Sequence, residues 1–123
     1  MTEQPDIFKL AKNIAYKINE LEKAREELSR LAQNVAKYEG IYRAKLAKTC
    51  IQLKNGVKFE LDGAVIENPP ASTTLTIAHG ICAAEKIKAQ EAEILWRSQM
   101  KIADMLQAEL NGLQSINKNL SEV

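Results

Sequence analysis

Few residues in this sequence have the types and spacing that chemistry needs. His79 and Cys82 stand three apart on what reads as a helix, and Cys50 lies toward the end of an earlier helical stretch. Brought to one place, the three would offer zinc two thiolates and an imidazole, with water in a fourth position. The spacing matches no zinc signature, no Cys-x-x-Cys occurs, and lone helical cysteines behave as small buried hydrophobes. Metal is therefore not expected at His79, Cys82 and Cys50, and no cofactor is assigned. No serine or cysteine nucleophile is set against His79. The acids Glu85, Glu91, Glu93, Asp104 and Glu109 lack the Glu-x-x-His repeat of helical carboxylate metal sites and read as a solvated face. With no Gly-rich phosphate loop either, the chain reads as a non-enzymatic protein without a small-molecule substrate.

The other candidate feature is charge. Over the whole chain 17 basic residues nearly balance 16 acidic ones, a formal net charge of +1, so no global field selects nucleic acid or a membrane surface. Locally the balance breaks. Between Lys37 and Lys58 six basic residues, Lys37, Arg43, Lys45, Lys48, Lys54 and Lys58, face Glu39 alone, and Tyr38 and Tyr42 lie among them. A basic face with interleaved rings suits an acidic protein or single-stranded nucleic acid, since cations track phosphates and bases stack on rings.

Two long periodic stretches must position these groups. The first, about residues 6–53, opens at Asp6 after Pro5, a good N-cap, and repeats every seven residues at Ile7, Ile14, Leu21, Leu28, Val35 and Tyr42. Leu10, Ile18, Leu31, Tyr38 and Leu46 lie beside that series. Gly40 inside it predicts a kink or a close contact. Charged pairs are expected between Lys23 and Glu27 and between Glu26 and Arg30. Asn55-Gly56 supplies a C-cap. The second stretch, about 72–120, is proline-free and reads as one helix capped by Ser72, Thr73 or Thr74, with Ile102, Leu106 and Leu113 on its stripe and Asn111-Gly112 weakening it without breaking it.

Between them the period changes to two. Val57 to Leu61 alternates, Asp62-Gly63 is a two-residue turn, and Ala64 to Glu67 runs back, a hairpin over about 57–67. Its register sets Leu61 opposite Ala64, Phe59 opposite Ile66 and Lys58 opposite Glu67. Such a hairpin is marginal alone and has to pack on the helix ends or on another subunit.

The fold class is all-α: a single domain of two long helices in an antiparallel coiled-coil hairpin joined by a short β-hairpin. Ile14, Leu21, Leu28 and Val35 are expected to pack on Ile102, Leu106 and Leu113, with Tyr42, Phe59, Ile66 and Trp96 in the core or at a subunit contact. Apolar residues beside the seams, among them Phe8, Ala15, Ala32, Ala36 and Met105, leave a second stripe that predicts a homo-oligomer. Two cysteines make no disulfide framework and no apolar run spans a bilayer, so a cytoplasmic protein without membrane contact is expected.

Two resemblances follow. The run Tyr42-Arg43-Ala44-Lys45-Leu46-Ala47, with Ala83-Ala84-Glu85 through Trp96-Arg97 to Leu110-Asn111-Gly112-Leu113-Gln114-Ser115-Ile116, resembles small helical proteins of temperate phages and prophages. That resemblance covers the second half best and implies an early-region protein in the host cytoplasm that assists DNA recombination or replication or binds a host factor. The order helix, β-hairpin, helix is similar to the β-type prefoldin subunit, and implies a holdase or scaffold whose hairpins join subunits.

Overall fold

The computed structural model describes residues 7–121 and is 85% helical, with one small two-stranded antiparallel sheet. The helix α1 runs Ile7–Lys54, the strands β1 and β2 are Phe59–Leu61 and Ala64–Ile66, and α2 (Thr74–Ile81) and α3 (Ala83–Ser121) follow a 3-10 turn at Ala71–Thr73. The expected cap at Asp6 lies outside the described residues. α1 is helical through Gly40, which makes no close contact: a Cβ there would meet open space. The C-terminus closes as its sequence predicts. Gly56, at φ +81°, lets its own N–H donate to the Leu53 carbonyl at 3.2 Å and the Val57 N–H donate to that of Gln52 at 3.0 Å, the paired bonds of a Schellman ending.

The hairpin has the expected register, Phe59 opposite Ile66 and Leu61 opposite Ala64. Asp62 and Gly63 both have positive φ, 49° and 80°, as a type I′ turn requires. Lys58 and Glu67 meet at 3.8 Å at the open end. One face packs on α2, where a Cβ on Gly80 would stand 3.2 Å from the Leu61 side chain; glycine is what allows that approach.

The single helix expected over 72–120 is divided. Its start is a 3-10 turn, and the Thr73 and Thr74 hydroxyls donate back to the Pro70 carbonyl at 3.0 and 3.3 Å instead of capping α2. At Cys82 the backbone leaves helical ψ for +16°, although its N–H still donates to the Ala78 carbonyl. The break falls where Gly80 lies against the hairpin and Cys82 against Thr49. α3 then passes through Asn111-Gly112 without interruption.

The chain divides into two compact units, residues up to 32 with those from 95 onward, and residues 33–94. In the first, Leu21, Ala24, Ala103 and Leu110 form the core, with Ile14 and Leu106 packed against it. Burial on α1 falls at positions 10, 14, 17, 21, 24, 28 and 31 and on α3 at 96, 99, 103, 106, 110 and 113, alternating steps of three and four. Leu28, Trp96 and Leu113 accordingly stand half-buried in the seam. Ile102 does not join it. Ala103 takes the inward position and Ile102 is 43% exposed; Ile7, Ile18, Leu95 and Ile116 are exposed as well. The polar members have partners: Lys17 reaches Glu109 at 2.6 Å and Glu20 at 3.2 Å, and Gln99 donates to the Ala24 carbonyl at 3.1 Å. These pairs set the two helices antiparallel. On the exposed face Arg30 pairs with Glu27, three residues away, instead of with Glu26. The 33–94 unit buries Leu53, Ala78, Cys82, Ala89 and Ala92 with Thr49 and Thr74, while Val35, Tyr42, Phe59 and Ile66 are half-buried around them.

Candidate functional site

Within the 33–94 unit, Lys45, Lys48 and Gln52 follow one another on α1 at steps of three and four, which places them on one face. The Schellman ending turns the chain at Gly56 and carries Phe59 back to that face. Together with Ala44 and Thr49 they line a groove of about 440 Å³. The groove offers two cations, an amide and the ring of Phe59, which is half-buried on one side of its strand.

The six basic residues do not all share one face of α1. At about 3.6 residues per turn Arg43 and Lys54 project from the side of α1 opposite Lys45. Several are also engaged. Arg43 pairs with Glu39 at 2.8 Å, Lys45 with Glu85 at 2.5 Å, and Lys58 with Glu67 in the hairpin. The Lys45 ammonium holds the Glu85 carboxyl below its ordinary pKa. Lys37 stands 5.5 Å from the centre of the Tyr38 ring. Among the described residues Lys48 and Lys54 have no ion pair, and of these two only Lys48 lines the groove. Thr49 and Gln52 are groove residues that the charge pattern did not single out; the i, i+4 step from Lys48 to Gln52 is the signal that would have found the latter.

Of the residues considered for metal, two have hydrogen-bond partners. Tyr42 and His79 Nδ1 share a hydrogen bond of 2.9 Å, and Thr49 Oγ1 and the buried Cys82 Sγ stand 3.6 Å apart. Cys50 is a half-buried free thiol. Among the described residues no group of three His, Cys, Asp or Glu side chains is placed to hold a metal ion, and no helix is long and apolar enough to cross a membrane.

The fold and the groove together define a class: a largely helical protein with a lysine-lined groove beside a β-hairpin. No protein-family model, no curated protein and no solved structure matches the chain.

Proposed function

We propose that this chain is a non-enzymatic, self-assembling coiled-coil hairpin protein that binds single-stranded nucleic acid through the groove of Lys45, Lys48, Gln52 and Phe59. The observation that carries the reading is the meeting of the unpaired Lys48 with an aromatic ring in one open groove. A phosphate can sit on the Lys48 ammonium while a base stacks on Phe59 and Gln52 hydrogen-bonds to its edge. The resemblance to small phage proteins carries over no functional residue; what it implies is a part in DNA recombination or replication, which such contact would suit. An acidic face on a host protein would use the same lysines without the ring.

Fluorescence anisotropy with a labelled oligothymidylate, over a range of salt, tests this. Affinity falls steeply with salt, Lys48→Glu abolishes most of it, and loss of the ring in Phe59→Ala costs about 1–3 kcal/mol per stacked base. Binding that survives Lys48→Glu unchanged rules out the groove, binding that ignores Phe59→Ala removes the stacked base from the reading, and no binding of the oligonucleotide at low salt leaves the acidic protein partner.

A second reading, a prefoldin-like chaperone or scaffold, draws on the hairpin, where Val65 is 68% exposed and both strands keep a free edge. Under that reading Val65→Lys dissociates the assembly and leaves the groove's ligand binding intact.

A further inference from the structure

The groove has a counterpart one turn away along α1. Tyr38, Ile41, Lys45, Lys48 and Gln52 follow at steps of three, four, three and four, which places them on one stripe of the helix. The C-terminal half of the stripe lines the groove with Phe59. Its N-terminal half, Tyr38 and Ile41, lines a smaller pocket of about 190 Å³ together with Ala84, Glu85 and Lys88 of α3. All of these residues belong to the 33–94 unit.

The two hollows repeat one chemistry. Each has an aromatic ring, Phe59 in the groove and Tyr38 in the pocket. Each also has an exposed lysine without an ion pair among the described residues, Lys48 in the groove and Lys88 in the pocket. Lys37, 5.5 Å from the centre of the Tyr38 ring, adds a further cation. The pocket is smaller than the roughly 300–1,000 Å³ that hold a drug-sized molecule, so it suits one ring of a longer ligand better than a ligand of its own. From residue 38 to residue 52 the helix rises about 21 Å, a length on the order of the shortest single-strand sites, ~4 nucleotides.

Among the residues that line the two hollows Glu85 is the one acid, and its charge is already met. Its Oε1 accepts from the Lys45 ammonium at 2.5 Å, and its Oε2 is buried and so turned from an incoming anion. The same pair connects the hollows, since Lys45 lines the groove and Glu85 lines the pocket.

We propose that the pocket of Tyr38, Ile41 and Lys88 is a second subsite for single-stranded nucleic acid, continuous with the groove. One strand stacks a base on Phe59 at one end of the stripe and another on Tyr38 at the other, with phosphates on Lys48 and Lys88. The proposal rests on the reading of the groove as a nucleic-acid site and extends it along α1 onto α3.

Anisotropy on the full chain with an oligothymidylate of about 16 nucleotides, long enough to fill both hollows, tests it. Lys88→Gln lowers the affinity several-fold and flattens the slope of log K against log salt by about 0.7, the signature of one lost phosphate contact on a single strand. Tyr38→Ala lowers the affinity about tenfold and leaves that slope unchanged, because it removes stacking and no charge. Lys86→Gln, the same charge change on α3 outside the pocket, leaves both nearly native. With iodouracil in place of thymine, irradiation crosslinks the strand to the peptide of Tyr38 as well as to that of Phe59. Lys88 is exposed, so Lys88→Gln carries the test if Tyr38→Ala unfolds the chain. Native affinity and salt slope in Lys88→Gln, with crosslinks at Phe59 alone, overturn the second subsite and spare the groove. A loss just as large in Lys86→Gln also overturns it, since any nearby cation would then serve. A native chain that binds no oligonucleotide at low salt overturns both the subsite and the groove's nucleic-acid reading.

Discussion

Gln99 and Lys17 are the polar side chains that stand in the seam of the unit formed by the two chain ends, and each has found a partner that makes its place tolerable. Gln99 reaches the Ala24 carbonyl, and Lys17 extends its stem along the seam to Glu109. The small residues Ala24 and Ala103 bring the helices close enough for these contacts. In the other unit the bond between Tyr42 and His79 ties α1 to α2. Tyr42→Phe removes that bond and nothing else; denaturant unfolding should show a loss of about 1 kcal/mol, and an unchanged midpoint would mean the bond contributes nothing. Neither Lys17 nor Gln99 stood out in the sequence, because a polar side chain gives no local sign that a partner on another helix will receive it.

At the scale of elements, the β-hairpin was the most legible part of the chain. Its period of two, its Asp-Gly turn and its cross-strand partners agree with one another over ten residues, and every one of those signals is local. The Schellman ending of α1 was equally legible from Asn55-Gly56. The division of the last helical stretch at Cys82 was not, because the residues around it are tolerated in a helix and the cause lies in the hairpin and in Thr49. Gly40 separates the two kinds of glycine. Since it sits in an open, unbroken stretch of helix, Gly40→Ala should stabilise the chain by about 0.5–1 kcal/mol, raising the melting temperature measured by circular dichroism. Gly63→Ala, forced to keep φ near 80°, should destabilise instead.

Among the described residues the ion pairs mostly join exposed side chains. The hydrogen bond from Tyr16 and that from Lys17 hold the Glu20 carboxyl below its ordinary pKa, Arg30 does so for Glu27 and Lys45 for Glu85. A carboxyl with a depressed folded pKa stabilises the fold above its unfolded value and ceases to do so as pH falls through the folded one. The melting temperature should therefore be flat near neutrality and fall as the pH drops below about 4.5, and the fall should shrink in high salt because exposed pairs are screened. A melting temperature that holds or rises in acid would mean these pairs contribute nothing.

The sequence by itself determined the order of helix, β-hairpin and second helical stretch, the hairpin register, the helix ending at Gly56 and the presence of more apolar surface on the helices than one seam can use. Each of these is written in neighbouring residues through period, turn chemistry and propensity. Only the tertiary structure decided which apolar stripe was covered, putting Ala103 inward and leaving Ile102 free, and which cations were spent, joining Lys45 to Glu85 across forty residues. The reason is physical: a stripe is covered where the partner helix presents one that packs into it, a comparison that exists only once both helices are side by side.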